Sequence, residues 1–103
     1  MLKGYVIVTE IIKDPVGLEA YARVAGATLA ASGGSILAID DGPQQLEGDW
    51  QGDRTVVLEF ESVEAARAWY ESAEYEKAKP LRHAAADTTM VIVAGFEPLA
   101  GND

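Results

Sequence analysis

Apolar and polar positions follow two alternating periods along this chain, and the switches between them mark out its elements. Over residues 4–12, Tyr5, Ile7, Thr9 and Ile11 fall on one face of an extended segment, with Val6, Val8 and Glu10 on the other. Asp14-Pro15 then signals a helix, a capping side chain followed by a residue suited to the first helical position. Leu18, Tyr21, Ala22, Ala25 and Leu29 form its apolar stripe, and Gly33-Gly34 offers a left-handed stop. Gly17 and Gly26 each cost about 1 kcal/mol relative to alanine inside that helix, so packing must hold it. Residues 35–39 predict a second strand, and Asp40-Asp41-Gly42-Pro43 a turn. Residues 45–50 predict a further short strand.

The stretch that organises the rest is 54–70. Residues 54–61 are rich in β-branched side chains and read as a strand. Arg54, Val56, Leu58 and Phe60 lie on one face, and Thr55, Val57, Glu59 and Glu61 on the other. Ser62 supplies an N-cap and Glu64 a first-turn carboxylate, and Ala66, Trp69, Tyr70 and Ala73 continue as an apolar stripe. Ser72 caps a second helical piece after a bend. Pro80 lacks an N–H and predicts a break or kink, with a further turn or two over 81–86. Residues 88–96 form the last predicted strand, and 98–103 a polar tail.

The order β-α-β-(β)-β-α-β predicts an α+β fold of the ferredoxin-like type, one domain over 1–97. A sheet with helices on one face should show polar residues on the other. Val6-Ile7-Val8, Val56-Val57-Leu58 and Met90-Val91-Ile92-Val93 are instead apolar on both sides. No element of the chain is left to cover the second face. The expectation is a homodimer with two sheets packed together, burying on the order of 800 Å² per partner.

Composition narrows the function classes. Hydrophobic residues make up 49% of the 103, enough for one modest core. Seventeen acids against eight bases give a net charge of −9, which disfavours nucleic acid and anionic membranes as partners. The absence of cysteine excludes disulfides and zinc–thiolate sites. The apolar tract before Thr9 is too short for a signal sequence or membrane span, so the expected location is cytoplasmic.

Several runs carry a resemblance. Leu46-Glu47-Gly48-Asp49-Trp50, Arg54, Glu59-Phe60, Ser62-Val63-Glu64-Ala65-Ala66-Arg67-Ala68-Trp69-Tyr70 and Ser72-Ala73-Glu74-Tyr75 resemble the domain-of-unknown-function 1330 family. Pro80-Leu81-Arg82 and Val93-Ala94-Gly95-Phe96 extend the match. The resemblance implies a dimeric α+β barrel, similar in fold to muconolactone isomerases and small cofactor-independent monooxygenases. It implies no particular chemistry, because fold does not fix function. Many relatives carry a basic residue after the paired glycines. This chain has Ser35 there, which argues against an anion site at that position.

Candidate chemistry rests on few side chains. His83 is the only histidine, a potential acid, base or ligand anchor, or simply an exposed residue near a helix end. Glu59 interrupts an apolar strand, where it reads equally as a general base or as half of an ion pair with Arg54, Arg82 or a partner arginine. Trp50, Arg54, Tyr70, Tyr75 and Arg82 are candidate ligand-binding residues, with Tyr70 also open to a core role. The expected site lies between the sheet and the second helix, bounded by Trp50, Arg54, Tyr75, Arg82 and His83. One histidine with scattered carboxylates supports no metal site, and no phosphate loop or cofactor motif is present. Three functions stay open: a cofactor-independent enzyme acting on a small carbonyl or aromatic compound, a non-catalytic binding protein, and a structural homodimer.

Overall fold

Strand β1 (Gly4–Ile12) runs through the middle of the sheet, because both of its edges are paired. It is followed by α1 (Pro15–Ala31), β2 (Ser35–Asp40), β3 (Arg54–Phe60), α2 (Val63–Tyr70), α3 (Ala73–Ala85) and β4 (Ala86–Ala94). The computed structural model describes residues 2–97, and the polar tail expected over 98–103 lies outside them. The sheet is antiparallel throughout, in the order β2-β3-β1-β4, which is the ferredoxin-like α+β arrangement.

Each helix starts where the sequence carries a capping side chain. Asp14 accepts from Gly17 N–H at 3.1 Å, Ser62 from Ala65 N–H at 3.0 Å, and Ser72 from Tyr75 N–H at 3.2 Å. Gly33, at φ 75°, ends α1 in the left-handed region where a side chain would be strained. Gly4 serves a different need. A Cβ there would run into the Ser62 carbonyl, so the start of β1 can lie against the start of α2 only without one.

Parity decides what each strand buries. Val6, Val8, Leu58 and Phe60 point toward the helices and are buried with Ala25, Leu29, Ala66, Trp69, Tyr75 and Ala78. Aromatic rings fill the space under α2 and α3. Trp69 lies 4.2 Å from Tyr75 and 5.4 Å from Phe60, centroid to centroid, and Tyr70 lies 5.7 Å from Tyr75.

Three expectations are corrected. No strand forms over 45–50. The Gln45 side chain instead accepts from Trp50 N–H at 2.7 Å, and Gly48 turns at φ 72°, so the segment satisfies itself as a loop. Pro80 does not break its helix: α3 runs from Ala73 to Ala85 across it. Pro80 is exposed, and the buried stripe of Tyr75, Ala78, Arg82 and Ala85 holds the helix on either side. The last strand begins at Ala86, two residues before the expected start, because Arg82 O already closes the helix with Ala86 N–H.

Candidate functional site

Helix α1 packs along α3 and stands off from the sheet. Along that gap it offers Ala22, Ala25 and Gly26, which are too small to close it; Ala22 and Gly26 are themselves exposed, so the gap is open to solvent. The result is a cavity of about 120 Å³. Val8, Val56, Leu58 and Met90 form its floor, Ile36 and Ile39 flank it on the edge strand, and Leu18 and Leu29 bound it from above. Trp69 lies at one end. At the other end are the polar members, Glu10, Arg54 and Tyr21.

The polar end is built by register. Glu10 on β1 is paired with Arg54 on β3 and with Thr88 on β4, so the three form one row across the helix-facing side. Gly52 allows the chain to close onto this row. It sits at φ 97°, and a Cβ on it would lie 2.7 Å from the Glu10 carbonyl oxygen. Asp53 N–H donates to that same carbonyl at 2.6 Å. From the helix layer, Tyr21 O–H and Tyr75 O–H meet at 2.7 Å.

Glu10 is only 4% exposed, and burial raises its pKa above the usual carboxylate range, although Arg54 and Arg82 pull it back. Burial, with the Tyr75 hydroxyl beside it, also pushes the Tyr21 phenol well up, so it stays protonated. Arg54 Nε donates to Asp41 at 2.5 Å, and that pair raises the arginine while holding the exposed Asp41 below its ordinary value. Arg82 is buried without a carboxylate contact among the described residues, and its Nε and the Thr88 hydroxyl have no hydrogen-bond partner there.

The structure brings together only part of the expected constellation. Arg54 lines the cavity, and Tyr75 and Arg82 stand behind its polar end. Tyr70 is half-buried, packed on Tyr75, with Lys79 Nζ 3.7 Å above its ring. The others are elsewhere. Glu59 pairs with Tyr5 in register on the sheet face away from the helices, accepting from its hydroxyl at 3.1 Å, with Lys3 at 3.6 Å. Trp50 lies on that same outer face, donating from Nε1 to Thr55 at 2.8 Å, and walls a shallow groove with Pro43 and Leu46. His83 is exposed on α3, its ring nitrogen 3.4 Å from Arg82.

The cavity therefore lies under the first helix, not the second, because the rings of Trp69 and Tyr75 occupy the second position. Glu10 and Tyr21 line the cavity without having been singled out from the sequence as site candidates. Glu10 did carry a signal: it is the one carboxylate on the Val6–Val8 face of β1.

Fold and site together define an α+β protein of ferredoxin-like topology with a pocket beside the sheet. The chain belongs to the family described as a domain of unknown function, DUF1330, whose model matches residues 3–96. It is similar in structure to a protein of unknown function from Rhodopseudomonas palustris, with 20% identity and a TM-score of 0.74 over 94% of this chain and 85% of that one. A dimeric ferredoxin-like protein of unknown function from Thermobifida fusca aligns with 16% identity and a TM-score of 0.60, covering 90% and 91%. SnoaB, a cofactor-independent oxygenase from Streptomyces nogalater, aligns with 13% identity and a TM-score of 0.57, covering 96% of each chain. No curated protein matches the sequence.

Proposed function

We propose that this protein is a homodimer that binds a small carbonyl or aromatic compound in the cavity under α1, where Glu10 exchanges a proton with it. One observation carries the reading: a carboxyl group 4% exposed sits at the polar end of an otherwise apolar cavity. A buried carboxylate is costly, and in a cleft a carboxyl whose pKa is raised by burial is suited to accept or give up a proton. Arg54 and Arg82 supply positive potential for negative charge developing on a substrate oxygen. The reaction class is proton transfer without a cofactor, in keeping with a structural neighbour described as a cofactor-independent oxygenase.

The dimer rests on the outer sheet face. Ile7, Val57, Val91 and Val93 lie there with no helix of the described residues over them, and proteins of similar fold are described as dimeric. The Tyr5–Glu59–Lys3 cluster is on the same face and gives Glu59 a place at the seam. The cysteine-free chain suits a reducing compartment, and we place it in the cytoplasm.

The test is deuterium exchange at the carbon beside the carbonyl of cyclohexanone, followed by NMR. Exchange by the wild type that Glu10→Gln abolishes, together with ring-compound binding lost in the cavity-filling Ala25→Leu, is the expected result. Binding without exchange supports the non-catalytic alternative. Binding that Ala25→Leu leaves intact would place the site elsewhere.

A further inference from the structure

Resting on the ligand-binding reading above, we infer that the cavity under α1 selects neutral, single-ring ligands carrying one hydroxyl or carbonyl oxygen, and rejects carboxylates of the same size. Size sets the first limit. The cavity holds about 120 Å³, slightly less than the roughly 150 Å³ of an apolar protein cavity that accommodates benzene. Its walls beyond the polar end are aliphatic, apart from Trp69. A fused-ring ligand would have to protrude at the open side, past the exposed Ile36 and Ile39, and so leave part of its apolar surface unburied.

Charge sets the second. Glu10 and Arg54 are the charged residues that line the polar end, of opposite sign; Arg82 is buried behind it, and the exposed Asp41 holds Arg54 from outside. Arg54 already spends its Nε–H on Asp41 at 2.5 Å. A benzoate-sized anion entering this apolar space would set a full carboxylate charge beside the Glu10 carboxylate, whereas charge that develops on a substrate oxygen does so as Glu10 takes up the proton and is neutralised. Burying such an unpaired charge is far costlier than burying a neutral hydroxyl or carbonyl.

A neutral oxygen is provided for. Tyr21 lines the cavity, and its hydroxyl meets that of Tyr75 at 2.7 Å. With Tyr75 donating in that pair, the Tyr21 O–H is free to donate to a ligand oxygen at the end of the cavity where Glu10 can accept from a hydroxyl. A ligand oxygen that completes these bonds is favoured over one that cannot.

Dissociation constants for phenol, cyclohexanone and benzoate, measured by NMR titration of the full chain at pH 8, test the inference. Phenol and cyclohexanone are expected to bind at least about tenfold more tightly than benzoate, a difference of about 1.4 kcal/mol. Two variants then shift the charge. Glu10→Gln removes the buried negative charge, and Asp41→Asn removes the exposed one and frees Arg54. Each is expected to narrow the gap by strengthening benzoate, and the exposed Asp41 site keeps the test valid if Glu10→Gln folds poorly. Benzoate binding as tightly as phenol in the wild type overturns the selectivity and leaves the cavity reading standing. Binding of none of the three compounds, nor of benzene, overturns both.

Discussion

The hydroxyls of Tyr21 and Tyr75 share one hydrogen bond at 2.7 Å, but their surroundings differ. Tyr75 is fully buried, whereas Tyr21 lines the cavity. Tyr21→Phe leaves the Tyr75 hydroxyl stranded and is expected to cost about 1–3 kcal/mol, with Tyr75→Phe nearer 1 kcal/mol in its polar part. Urea unfolding of both variants and the double variant measures this; equal single costs would remove the asymmetry. Glu10 sets a pH dependence of definite sign. Its folded pKa is raised, so its favourable contribution is complete below the ordinary carboxylate value and is lost as pH climbs through the folded value. Wild-type stability measured against Glu10→Gln should therefore be greater at pH 5 than at pH 8. Asp41 acts oppositely, stabilising above its ordinary value and losing that contribution only as pH falls through its lowered folded value. The side to which Glu10 points was legible from strand parity alone. Its burial was not, because that depends on how far α1 stands from the sheet, which no local pattern encodes.

At the scale of elements, most of the fold could be read because period and caps agreed. Ser62 and Ser72 each placed a helix start, and β1 and β3 showed their inward faces by alternation. The misreadings came where tertiary packing outweighed a local rule. Pro80 removes the N–H that would donate to the Glu76 carbonyl, yet the buried stripe of α3 carries the helix past it. Pro80→Ala is expected to restore that bond and stabilise the protein by up to about 3 kcal/mol, read as a higher thermal midpoint. An unchanged midpoint would show that the helix has already absorbed the missing bond. Gly4→Ala tests the opposite kind of constraint. It forces a Cβ against the Ser62 carbonyl and is expected to destabilise by about 1–3 kcal/mol through overpacking. The site was only half legible for a related reason: Arg54, Tyr75 and Arg82 gather near one another, but the space they were expected to bound is filled by Trp69 and Tyr75 themselves.

For the whole molecule, the uncovered outer face of the sheet is the dominant feature. Val57→Asp puts a charge in its centre beside Ile7, and is expected to turn the proposed dimer of about 22 kDa, twice the 11.0 kDa chain, into monomer or aggregate by light scattering. Unchanged association would move the seam to another surface. The two tryptophans then become optical reporters of two different events. Trp69, 3% exposed and packed on Tyr75, emits from an apolar interior and shifts to the red when the core opens. Trp50, 52% exposed on the outer face, meets aqueous quenchers in the free protomer and loses that access where a partner covers it. Iodide quenching during dilution therefore separates dissociation from unfolding without any label: the first changes one chromophore's accessibility, the second the other's colour.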